Sequence, residues 1–324
     1  MANRGPRAIR IEGVSIGYLA DGRTLRPDDL GSVLFAKDAA IERPRKIAGG
    51  STVEWSGICL DRIPPRASRI RLDVAISSRA GLSRRRSTES VEVDLRPSPA
   101  PLVLRVPFEG YWLVTQGHGC RTNHRRGGFG SDYAWDFVHF GASGRTVKDG
   151  YETTRRNEDS YSFDLPIFAP VDGTVARIEN DIPDNEGLKE FPRRTLLEDL
   201  ERPAWIFGNL VVIDAGSGTY VMLAHLRQGT VGVKPGDRVR AGDTIARCGN
   251  SGNTVLPHLH VQAMDRPDPT DSSVRGLPAV LASYREITST GDATHKDILA
   301  RVIAAGDPPE NSIVVPVAAD AAKP

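Results

Sequence analysis

Gly208-Asn209-Leu210-Val211-Val212-Ile213-Asp214, then Gly216-Ser217-Gly218, then Thr219-Tyr220-Val221-Met222-Leu223-Ala224-His225-Leu226 is the stretch whose reading decides the fold. A short apolar run bounded by turn residues reads as a buried strand, and a second run behind a glycine-rich turn reads as its hairpin partner. Outward from this hairpin the pattern stays β. Val233-Lys234-Pro235-Gly236-Asp237-Arg238-Val239 and Ala241-Gly242-Asp243-Thr244-Ile245-Ala246 are two more turn-rich β segments, and Cys248-Gly249-Asn250-Ser251-Gly252-Asn253 would break any helix. In Pro257-His258-Leu259-His260-Val261 and beyond, Leu259, Val261 and Ala263 alternate with His258, His260 and Gln262. Upstream, Pro166 to Ile178 reads as strand, tight turn at Asp172-Gly173, strand. Tyr133-Ala134-Trp135-Asp136-Phe137 reads as a strand with three aromatic rings on one face and Ala134 and Asp136 on the other. No helix is needed in this core, so the expected fold class is all-β.

The chain has 324 residues, 39% hydrophobic and 26% charged, the balance of an ordinary globular protein of about two domains. No apolar run approaches the roughly 18 residues of a membrane helix. The N-terminal Met1-Ala2-Asn3-Arg4-Gly5-Pro6-Arg7 leads into a strand-like pattern, not into a signal-peptide apolar core, so localisation stays open. Cys59, Cys120 and Cys248 are odd in number and far apart, which speaks for reduced thiols and against a cysteine-built zinc site. The net charge of +1 divides unevenly: residues 1–107 carry +7 and residues 108–324 carry −6. A basic first part could steer an anionic partner, although solvated strand faces explain the arginines as well.

Residues 8–107 read as short strands at Ile9–Tyr18, Thr52–Leu60, Ser68–Ser77, Glu89–Leu95 and Leu102–Val106, which suggests an N-terminal β-sandwich-like domain. The run Arg84-Arg85-Arg86 is expected in a solvated loop between strands. Pro97-Ser98-Pro99-Ala100-Pro101 is a stiff extended connection. The compact β core then covers 108–290, with polar surface insertions near Gly141–Ser160 and Asp181–Pro203, and 291–324 is a C-terminal extension. Within the extension, Ile298 to Ala305 is expected as a short helix stopped by Gly306, and Ile313-Val314-Val315 as one edge strand, with no chemistry in either.

Two histidines one residue apart on a strand share a face, where one can hold a metal while the other handles a proton. His124, Asp136 and His260 offer a neutral, an anionic and a neutral ligand, the kind of three-ligand set that zinc hydrolases use while leaving a fourth position open. His225 and His258 could take the proton of a water and stabilise an oxyanion. His118 and His139 are rivals for His124, and Asp132 for Asp136.

Taken together, Asn123-His124, Asp136-Phe137, Gly208 to Ile213, Ala224-His225-Leu226, Val233 to Val239, Gly249 to Asn253 and Pro257-His258-Leu259-His260 resemble the lysostaphin-type zinc metallopeptidase family over about residues 115–265. The resemblance implies an all-β metallopeptidase core and a zinc metalloendopeptidase, a hydrolase that cuts peptide cross-bridges or stems of bacterial peptidoglycan. It also implies that His124, Asp136 and His260 bind Zn2+ while His225 and His258 are catalytic. His124 and Asp136 stand further apart than in the commonest family pattern. A catalytically inactive cell-wall-binding or hydrolase-activating module of the same fold is the alternative. The partner is a peptide or peptidoglycan; nucleic acid is not expected.

Overall fold

The computed structural model describes residues 1–29, 45–53, 63–64, 66–80, 83–95, 99–119, 122, 124, 128–186, 204–291 and 296–317. The expectations on residues 54–60, Cys59, Cys120, Asn123, Pro97, Ser98, most of the second insertion (187–203) and the last seven residues lie outside these. The chain forms two compact units, Met1–Ser98 and Pro99–Pro324, and both are β.

The described strands of the first unit are β1 (Ile9–Ala20), β2 (Arg23–Asp29), β3 (Lys46–Ile47), β4 (Arg69–Ala80) and β5 (Ser83–Asp94). They join one five-stranded sheet in the order β2-β1-β4-β5, with β3 also on β1. Ile70, Leu72, Val74 and Ile76 of β4 pack on one face against Ile11, Val14, Ile16 and Tyr18 of β1. The apolar parity of β1 switches from odd to even at a bulge between Ile11 and Gly13, which keeps Ile9, Ile11, Val14, Ile16 and Tyr18 on the same face. Arg84, Arg85 and Arg86 do not form a loop: they lie exposed in β5, the edge strand of the sheet. Cross-strand carboxylates make this tolerable, as Glu12 beside Arg84 and Asp94 beside Arg69 illustrate.

The second unit continues with β6 (Leu102–Arg105), β7 (Trp112–Gln116), β8 (Trp135–His139), β9 (Pro166–Phe168), β10 (Gly173–Glu179), β11 (Asn209–Gly216) and β12 (Thr219–Leu226). Then come β13 (Arg238–Val239), β14 (Thr244–Arg247), β15 (Leu259–Met264), β16 (Ala279–Gly291), β17 (Lys296–Gly306) and β18 (Ile313–Pro316). Eleven of these form one sheet, in the order β13-β10-β11-β12-β15-β8-β7-β18-β16-β17 with β6 alongside β16; β9 and β14 pair separately. Two single-turn helices, α1 (Tyr151–Thr154) and α2 (Ala204–Phe207), sit in connections. One face of the sheet carries the main core: Trp135, Phe137, Val211, Ile213, Val221, Leu223, Leu259 and Val261 are all fully buried. Phe108 stacks on Trp112 at 4.6 Å and meets the edge of Phe137 at 5.0 Å. Deleting a ring from such a cluster costs about 3–5 kcal/mol.

Three expectations are corrected here. Ile298 to Ala305 is not a helix but part of β17, paired along its length with β16. The segment Ile313–Pro316 is not an edge strand: it sits between β7 and β16. Tyr133 does not extend the aromatic strand, because Ser131–Tyr133 is a 3-10 turn and the strand begins at Trp135.

Candidate metal centre

The second face of the large sheet is polar where β12, β15, β8 and β7 cross. Register places Ala224, His260, Asp136 and Gln116 in one row across these four strands. Alternation therefore aims His260 and Asp136 away from the main core, while Val261 and Trp135, paired beside them, enter it. His225 would point into the core if β12 were regular, being one residue beyond Ala224. It does not, because β12 bulges against β11 there, and His225 takes a left-handed φ of 59°. The bulge turns its ring onto the polar face, 5.8 Å from His260 and 4.6 Å from His258 between centroids, and returns Leu226 to the core. His258 lies just before β15 and reaches the same carboxylate from the strand's entrance.

Donor atoms of His124, Asp136 and His260 lie within 4.8 Å of one another, the one trio of His, Cys, Asp or Glu side chains so placed among the described residues. His124 Nε2 is 3.1 Å from Asp136 Oδ2, and His260 Nδ1 and His258 Nε2 are 2.9 and 3.6 Å from Oδ1. Gln116 Nε2 donates to Oδ2 at 3.0 Å. A carbonyl oxygen can only accept, so the ring nitrogens facing carbonyls must carry protons. His124 Nδ1 donates to Ala134 O, His225 Nδ1 to Ser251 O and His258 Nδ1 to Leu256 O. Each of these rings is thereby left with an unprotonated Nε2 for the centre. The residues present fit a zinc ion: two imidazole nitrogens and one carboxylate converge, buried, with their outer atoms hydrogen-bonded.

Electrostatics support the convergence. Burial opposes ionisation of Asp136, yet the surrounding imidazoles of His258, His124 and His260 hold its carboxyl well below the usual carboxylate range. Burial pushes His225 well below the ordinary histidine value, with His258 and His260 adding to the shift, and burial likewise lowers His258. Burial would lower His124 too, but Asp136 outweighs it and raises that residue.

The rivals go elsewhere. His118 lies 3.1 Å from Asp307 and against the Trp135 ring; His139 faces the edge of Trp112; Asp132 is in the 3-10 turn. Cys248 is buried, and burial pushes its thiol up, as suits an inert core residue. Gln116 and Gln262 were not singled out from sequence, although both lie on the ligand face of their strands; the available signal is strongest for Gln262, a polar residue in a wholly buried strand. It also saw no chemistry in the C-terminal segment, where Asp307 accepts from Trp135 Nε1 and the Glu310 charge acts on His124.

The profile of Peptidase family M23 matches residues 160–272. Over that span the chain is similar to peptidase family M23. The matched span contains His225, His258 and His260; Asp136 precedes it and joins through the register of β8 with β15, and His124 joins through its 3.1 Å contact with Asp136. Solved structures similar to this chain include the catalytic domain of the prophage-encoded M23 protein EnpA from Enterococcus faecalis. It is 18% identical with a TM-score of 0.30, covering 52% of this chain and 88% of that one. The catalytic domain of the antimicrobial peptidase lysostaphin from Staphylococcus simulans is 18% identical with a TM-score of 0.27, over 53% and 88%. A zinc-containing peptidase from Vibrio cholerae is 15% identical with a TM-score of 0.26, over 66% and 59%.

Proposed function

We propose that this protein is a zinc metalloendopeptidase that hydrolyses peptide bonds, with peptidoglycan cross-bridges or stem peptides as its substrate. The observation that carries the reading is the row His260–Asp136 joined by His124, with two further imidazoles beside it. His124 through Nε2, Asp136 through its carboxylate and His260 through Nδ1 would hold the zinc. Bound there, the zinc supplies a Lewis acid and makes a water at its open position far more acidic. His225 and His258 are both neutral at pH 7, with Nδ1 protonated and tied to carbonyls. Their free Nε2 atoms can each accept a proton and then, as N–H, donate to the developing oxyanion or to the leaving amine. The left-handed backbone at His225 and the hydrogen bonds of His258 to Leu256 and Thr254 fix both rings before substrate arrives.

The peptidoglycan assignment rests on the residue resemblance described at the outset. The test combines zinc content of the purified chain with cleavage of purified peptidoglycan, read as new amino termini. About one zinc per chain, lost in His260→Ala, and cleavage lost in His258→Ala with zinc retained are the expected results. Wild-type cleavage by His258→Ala would overturn the catalytic assignment. Zinc bound without cleavage of any peptide would favour the binding-module alternative.

A further inference from the structure

His124, His225 and His258 share one arrangement: the Nδ1 proton goes to a backbone carbonyl and Nε2 faces the centre. His260 is reversed. Its Nδ1 faces Asp136 at 2.9 Å and its Nε2 lies 2.9 Å from Gln262 Oε1. The first three rings are held by main chain, which no substitution removes. His260 alone has no such main-chain partner: its Nε2 depends on a side chain, two residues along the same strand and fully buried.

The orientation of that side chain decides the tautomer of the ligand. An amide presents an acceptor at one end and a donor at the other. With Oε1 toward His260, the ring must donate Nε2–H, and a neutral ring then keeps its lone pair on Nδ1. With the amide reversed, the ring would have to accept at Nε2 and carry its proton on Nδ1, pointing at Asp136 and closing the ligand position. The Phe129 carbonyl settles which way the amide lies. It is 3.0 Å from Gln262 Nε2 and can only accept, so the NH2 end must face it. Ser131 Oγ, buried and 3.0 Å from Oε1, completes the acceptor's coordination. The Phe129 carbonyl is itself aimed by an unusual backbone run: Gly128, Phe129 and Gly130 all have left-handed φ, of 75°, 59° and 68°. Two glycines make such a run accessible at little steric cost.

We propose that Gln262 is the positioning residue of the centre, holding His260 in the Nε2–H tautomer so that Nδ1 is presented to the zinc. The chain Phe129 O–Gln262–His260, buttressed by Ser131, ties the turn that precedes the Asp136 strand to the strand that bears His260. It therefore fixes two ligands relative to each other. The proposal rests on the zinc reading, and the experiment separates the two.

The first readout is made on the metal-free full chain labelled with 15N-histidine, by long-range 1H–15N correlation near pH 7.5. A proton on Nε2 is expected for His260; a wild-type ring whose only proton is on Nδ1 would overturn the proposal whatever the variants do. The second is zinc affinity by competition with a chelator. Gln262→Leu, which removes the acceptor, is expected to weaken zinc binding about 10–100-fold, the usual effect of losing such an outer partner. Gln262→Glu keeps an acceptor toward Nε2 and is expected to stay within about threefold of the wild type on the same scale. Equal weakening in both variants would mean that the side chain only fills space, and would refute the positioning role. If Gln262→Leu does not fold, the wild-type tautomer and the Glu variant still decide. A wild type that binds no zinc overturns the metal reading, while the tautomer is judged on the metal-free protein regardless.

Discussion

Asp136 is the residue on which the centre turns, because His124, His258, His260 and Gln116 all face its two oxygens. Replacing it by asparagine keeps the shape and removes the charge. We expect Asp136→Asn to lower zinc affinity by at least about 100-fold, measured by chelator competition, since a ligand is lost and not an outer partner. Acid should act on the metal-free protein through the buried histidines. His225 is held well below its ordinary value of about 6.5, chiefly by burial, and His258 is also lowered. A group with a lowered folded-state pKa binds its proton more readily when unfolded, so it weakens folding as pH drops below the unfolded value. His124, being raised, acts the other way. With two groups against one, the melting temperature of the metal-free wild type should fall between pH 7 and pH 5. His225→Gln should fall less, and an equal fall would show that His225 does not titrate in this way.

At the scale of elements, the approach of two backbones beneath the site is the most exacting feature. Gly208 and Gly252 both have left-handed φ; a Cβ on Gly252 would lie 2.4 Å from Gly208 N, and one on Gly208 2.4 Å from Ser251 C. Asn185 closes the same loop by donating to the carbonyls of Asn250, Gly252 and Thr254. Gly252→Ala should destabilise the protein by about 2 kcal/mol or more in denaturant unfolding, from strain and overpacking together. What could be read from sequence divides along the same line between local and distant causes. Strands β11, β12 and β15 were legible because their periodicity is written within eight residues. The five candidate residues stood out as types, and Asp136, His225 and His260 do so by interrupting apolar strands. The face of His225 was not, because a bulge against Leu210 sets it. Ile298 to Ala305 misled because alanine, leucine and arginine favour helix locally, while the partner that makes them a strand, β16, is supplied by the tertiary fold. Arg84 to Arg86 misled in the same way, since a charged run is comfortable on an exposed edge strand as well as in a loop.

Across the whole molecule, the C-terminal strands belong to the sheet that bears the centre. β18 lies between β7 and β16, and the fully buried Val314 joins the main core. Glu286 is buried on β16 and accepts two hydrogen bonds from Arg301 on β17. Arg301→Ala should therefore cost about 1–3 kcal/mol, read by denaturant unfolding, by leaving a buried carboxylate without its cationic partner. A polypeptide of residues 99–324 should fold and bind zinc as the full chain does. One ending at residue 290 should do neither, by circular dichroism and metal content.

The row that joins Gln116, Asp136, His260 and Ala224 also has a meaning in time. In an unfolded chain His258 and His260 are neighbours, but Asp136 lies 124 residues from His260 along the backbone and His124 lies further still. A lone pair of imidazoles on a floppy coil holds zinc weakly, and closing loops of that length is slow and entropically opposed. On the zinc reading the ion is therefore expected to bind only after the sheet has closed, which would make metal loading the last step of maturation.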